Sequence, residues 1–94
     1  MEFSFDGEVI HWRGPAPWYF VRLAADAGDW IEEHAAELTY GWGCIPVRAV
    51  IGVTGFETSL FPKDGGYLLP LKATVRKAER IEEGGSVSVR LLAG

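Results

Sequence analysis

The stretch Ile45-Pro46-Val47-Arg48-Ala49-Val50-Ile51-Gly52-Val53-Thr54-Gly55-Phe56-Glu57-Thr58-Ser59-Leu60-Phe61 decides the fold. Ile45, Val47, Ala49 and Ile51 alternate with Pro46, Arg48 and Val50, the period of a half-buried strand. Gly52-Val53-Thr54-Gly55 reads as a turn. A hairpin closed there pairs Ile51 with Phe56, Ala49 with Thr58 and Val47 with Leu60, with their apolar side chains on one face. On the opposite face Arg48 then lies across from Ser59, with Glu57 diagonal.

Working outward, Lys63-Asp64-Gly65-Gly66 carries Asp-Gly, a strong hairpin signal. It returns Tyr67, Leu69 and Leu71 against Leu60 and Thr58. Residues 72–81 then take helical spacing through Ala73, Val75 and Ala78. After Glu82-Glu83-Gly84-Gly85, residues 86–92 form a last strand with Val87, Val89 and Leu91 inward. On the N-terminal side, residues 3–12 alternate as a strand, but beyond Gly7 the apolar Ile10 and Trp12 fall on the polar side, which suggests a bulge or bend at Gly7. Gly14-Pro15-Ala16-Pro17 is a stiff turn. Residues 18–23 are apolar on both faces apart from Arg22, as expected of a strand covered on both sides. Residues 26–38 read as a helix with Ala27, Trp30, Ile31, His34, Ala35 and Leu38 on one stripe and Asp29, Glu33 and Glu37 on another. Tyr40-Gly41-Trp42-Gly43 ends it. Six short strands and two short helices in 94 residues imply a mostly β chain, folded as one small barrel domain over residues 1–94 with helical lids.

The formal net charge of −4 disfavours phosphate backbones unless basic residues cluster. Cys44 is the single cysteine, so no intrachain disulfide and no multi-cysteine zinc site can form. Its surroundings suggest a buried small hydrophobe. The N-terminus lacks the pattern of a secretory signal, and no apolar run approaches the roughly 20 residues that span a bilayer. The expected setting is cytoplasmic, away from membranes.

Several segments together resemble domain-of-unknown-function family nineteen-oh-five. They are Gly14-Pro15 with Trp18-Tyr19-Phe20-Val21, Gly41-Trp42-Gly43-Cys44-Ile45-Pro46-Val47-Arg48-Ala49, Glu57-Thr58-Ser59-Leu60-Phe61-Pro62, and Gly66-Tyr67-Leu68-Leu69-Pro70-Leu71-Lys72. A closing Gly-x-x-Val-x-Val-x-Leu runs from Gly84 to Leu91. The likeness covers essentially the whole chain. That family comprises small bacterial and archaeal domains, some of them fused to an OmpD-associated, bacteriocin-protection-like domain. The resemblance implies a double-split β-barrel, the architecture of AbrB- and MazE-type regulators, and no assigned activity. Two departures are Gly85, where such domains usually carry Asp, and Gly28 within the helix.

No catalytic set stands out. His11 and His34 are 23 positions apart, and no metal-binding or nucleophile motif occurs. His34 belongs to the apolar stripe, where a packed, hydrogen-bonded histidine is expected. The glycine-rich pieces lack phosphate-loop endings, and no cofactor is implied. An enzyme is therefore the least favoured of three readings. The first is a non-catalytic binding or interaction module in which Trp18, Trp42, Arg48, Glu57 and Ser59 line a small pocket or a protein-binding face, while the complementary acidic and basic helix stripes would suit a homodimer contact. The alternative is a nucleic-acid-binding regulator, in which Lys72, Arg76, Lys77 and Arg80 form a basic helix face. A solvated face, or a match to the acidic stripe of the first helix, explains the same residues.

Overall fold

The turn at Gly52 is tighter than the alternation suggests. In the computed structural model, which describes residues 1–14, 18–38 and 44–93, Ile51 pairs with Thr54, Ala49 with Phe56, Val47 with Thr58 and Ile45 with Leu60. Only Gly52 and Val53 are left to turn. Gly52 has φ 61°, and a positive φ at the first of two central residues is the demand that type II′ hairpins place on glycine. The expected register is therefore off by two residues. A slip of two preserves which side chains face inward, so the buried set stands and the partners change. Arg48 lies directly opposite Glu57, and Ser59 opposite Pro46.

Six strands and three helices occur among the described residues. They are β1 (Glu2–Trp12), β2 (Trp18–Arg22), α1 (Ala25–Glu33), α2 (Ala35–Leu38), β3 (Ile45–Ile51), β4 (Thr54–Lys63), β5 (Gly66–Leu71), α3 (Ala73–Ala78) and β6 (Ser86–Ala93). The strands close a barrel in the order β1-β2-β5-β4-β3-β6, every pair antiparallel. β1 and β4 each change neighbours midway. β1 pairs β6 through Glu2–Glu8 and β2 through Val9–Trp12, while β4 pairs β3 through Thr54–Leu60 and β5 through Phe61–Lys63. These two changes of partner are the splits of a double-split barrel. Ala27 and Ile31 of α1 and Val75 of α3 join the same core cluster as Ile45, Leu60, Leu69 and Leu91, so the helices close the same core as the strands.

The β4–β5 turn forms as Asp-Gly predicts. Asp64 and Gly65 both have positive φ (52° and 77°), and Lys63 pairs with Gly66. At Gly7 there is no bulge: the β1–β6 ladder runs unbroken from Glu2 to Glu8. A Cβ at Gly7 would strike the Val21 side chain, so glycine is needed there for close approach.

The long helix expected over residues 26–38 is two helices. The break falls at His34, whose backbone leaves the helical region at φ −106°; its Nδ1–H donates to the Trp30 carbonyl oxygen at 2.8 Å and its ring stacks on Trp30 at 4.1 Å. His34 is half-buried, hydrogen-bonded and packed, as its place on the stripe suggests. The helix expected over residues 72–81 shortens to α3, and Arg80 lies beyond it with φ 53°.

Candidate functional site

The outward positions of β1 change character along the strand. Glu2, Ser4, Asp6 and Glu8 come first, then Ile10 and Trp12. The change coincides with the change of partner from β6 to β2. Ile10 pairs with Phe20 and Trp12 with Trp18, while Phe20 in turn pairs with Pro70 and Phe61 with Leu68. The outer face of this half-barrel therefore carries Ile10, Trp12, Trp18, Phe20, Leu68, Pro70 and Phe61.

Leu68 (0% exposed) and Phe20 (6%) are buried, yet they lie outside the core cluster of the barrel. They form the floor of a second apolar layer. Trp18 stacks on Phe61 with ring centroids 5.0 Å apart, and Phe20 meets both rings edge-on at 6.2 and 6.3 Å. β1 and β4 flank this sheet three strand spacings apart, roughly 14 Å. Lys63 of β4 nevertheless reaches Trp12 of β1, its ammonium 5.2 Å from the ring centroid. The two long side chains arch over β2 and β5 and leave between them an apolar cavity of about 150 Å³, lined by Trp12, Trp18, Phe20, Phe61, Lys63 and Leu68. Trp12 is 45% exposed and Trp18 39%. At one border Arg22 donates from Nη1 to the Lys63 carbonyl at 3.1 Å and lies 4.0 Å from Asp64.

Of the expected binding surface, Trp18 belongs to this cavity. Arg48 and Glu57 do not: they form an exposed pair, 3.8 Å apart, beside a separate shallow depression with Pro46, Val47, Thr58 and Leu92. Ser59 is half-buried on the outer side of β4, between Glu57 and Phe61. Trp42 lies outside the described residues. Trp12, Phe61 and Lys63 complete the site. The signal for Trp12 was present in its apparent misfit to the alternation of β1.

The basic residues do not share one face. Lys72 precedes α3, and Lys77 is exposed on it. Arg76 packs its guanidinium 4.0 Å above the Tyr19 ring and donates from Nε to the Leu71 carbonyl at 3.3 Å. Tyr19 also stacks on His11 at 4.3 Å, so Arg76 belongs to the closure of one barrel end. Arg80, in its left-handed conformation, falls outside the helical register. Cys44 is half-buried. On the inner side of β5, the Tyr67 hydroxyl donates to Glu32 of α1 at 2.7 Å. Burial, and secondarily this carboxylate, push the Tyr67 hydroxyl up to about 12.

A family model described as a domain of unknown function (DUF1905) matches residues 5–91, nearly the whole chain. No curated protein matches it.

Proposed function

This chain belongs to the DUF1905 family, and we propose that it serves as a non-catalytic recognition module whose outer aromatic face receives one apolar side chain from an extended segment of a partner protein. The observation that supports this most is the cavity roofed by Trp12, Trp18 and Lys63 over the buried Leu68 and Phe20. An apolar space of about 150 Å³ suits a benzene-sized group and is smaller than the usual site for a cofactor-sized ligand. Its extent argues against a second copy of the chain. At 45% and 39% exposure, Trp12 and Trp18 offer at most about 100 Å² each. With Ile10, the face stays far below the roughly 800 Å² per partner of a stable dimer. β2 and β5, at its centre, are paired on both sides, so a segment binding there is held by side chains and not as an added strand.

Single-stranded nucleic acid is a weaker fit. Trp18 and Phe61 stack on each other and so withhold one ring face each from a base. The bordering Arg13 and Arg22 already have Glu83 and Asp64 beside them.

Panning a random-peptide display library on the immobilised full chain tests the proposal. Enriched peptides are expected to share one large apolar residue. They should bind wild type at least tenfold more tightly, about 1.4 kcal/mol, than a folded Trp12→Ala, Trp18→Ala variant. Equal binding to both proteins overturns the proposal, as does enrichment without a shared apolar residue. So does a face that binds oligothymidine and selects no peptide.

A further inference from the structure

Three cations border the aromatic face, and they differ in what holds them. Arg13 is bound to Glu83 at 2.6 Å. Arg22 is held by the Lys63 carbonyl and lies near Asp64. Lys63 has the Trp12 ring beneath it, and no carboxylate of the described residues lies within 4.0 Å of its ammonium. It is also the one charged side chain among the described residues lining the cavity.

Resting on the recognition reading above, we infer that the segment this face receives carries a carboxylate next to its apolar anchor, and that Lys63 is the residue that reads it. A cation over a ring face is held weakly and keeps donors for a further partner. The Lys63 ammonium is exposed, so its attraction to an arriving anion is that of a surface pair, modest and effective only at close range. The same charge works against the ligand that aromatic walls would otherwise favour. A quaternary ammonium group prefers to sit against indole faces, but here it would meet the Lys63 ammonium already over Trp12. The site therefore selects by sign: apolar ring inward, negative charge at the lip.

Three probes with the same phenyl ring and different charge isolate this selection: phenylacetate, phenylacetamide and phenethyltrimethylammonium. Each is titrated into the full chain while the tryptophan indole N–H signals are followed by NMR. The expected order is phenylacetate tightest, about threefold to fivefold over phenylacetamide, as befits an ion pair at a solvent-exposed lip, with the cation weakest. In Lys63→Met the preference for the anion should disappear, read as the ratio of phenylacetate to phenylacetamide affinity within the variant, so that any change in the shared phenyl contact cancels. If phenylacetamide equals or exceeds phenylacetate in wild type, or the order persists in Lys63→Met, the inference about charge fails and the recognition site stands. If no probe moves the Trp12 or Trp18 signal, the recognition reading fails together with the inference.

Discussion

The barrel has two outer faces, and β1 runs through both. Outside the half built from the start of β1, β6 and β3, the outward residues are mostly polar, among them Ser4, Asp6, Ser88 and Arg90, with Val50 and Leu92 as the apolar exceptions, and the Ser88 hydroxyl donates to Asp6 at 2.6 Å. A broad open depression of about 610 Å³ lies there, larger than the aromatic cavity and of mixed polar and apolar lining. Outside the half built from the end of β1, β2, β5 and the end of β4, the outward residues are apolar, and two of them are as buried as the core. A strand on a barrel needs apolar side chains on its inner side only. The second set therefore does something the barrel interior does not require, whereas cavity size alone points to the other face.

If Leu68 belongs to a true second layer, Leu68→Ala leaves a void outside the barrel and costs about 2–5 kcal/mol. That is a fall in Tm of roughly 10 °C or more for a domain of this length. Ser88→Ala, at the matching place on the polar face, should cost under about 1 kcal/mol. Equal losses would erase the distinction between the faces. Tyr67, the neighbour of Leu68, points to the opposite side and anchors α1. Its hydroxyl is raised from 10.0 to about 12 in the folded chain. The folded state therefore holds the proton more tightly, so this contribution is complete below about pH 10 and is lost as pH rises through about 12. Chemical denaturation should show a decline on the order of 2 kcal/mol across that window, absent in Tyr67→Phe. Trp12→Gln, at the exposed roof, should change stability by less than about 1 kcal/mol yet abolish peptide binding. Smallest of all, the double change Arg48→Ala, Glu57→Ala should move stability by no more than about 0.5 kcal/mol and leave binding untouched. A loss of binding there would shift the site to the β3–β4 face.

Much of the fold was legible because inward burial has period two. Ile45, Val47, Ala49, Ile51, Leu69 and Leu71 are all buried, and Arg48 points outward. Turn length was harder to read. Gly52-Val53-Thr54-Gly55 has glycine at both ends, and alternation cannot separate a two-residue from a four-residue turn, since both keep the same face inward. The helix break falls at one residue, His34, whose backbone leaves the helical region, and the apolar spacing runs through it unchanged. The site was half legible. Ile10 and Trp12 looked like a fault in β1, and residues 18–23 looked covered on both sides. Each is half of one surface, and only the Ile10–Phe20 and Trp12–Trp18 pairing joins them. Lys63 could not be placed from sequence, because it reaches Trp12 across two intervening strands.

The central claim is that ligand recognition takes place on the aromatic outer face and not elsewhere on the barrel. The most direct test is to titrate a peptide selected by panning into isotopically labelled protein and follow the indole N–H signals. Trp30, on α1 and packed on Phe3 and His34, is the internal control. The account predicts that the signals of Trp12 and Trp18 shift together with the Leu68 methyls while Trp30 stays in place. Movement of Trp30, or of the Ser88 and Arg90 backbone amides, with Trp12 and Trp18 unchanged, would contradict it.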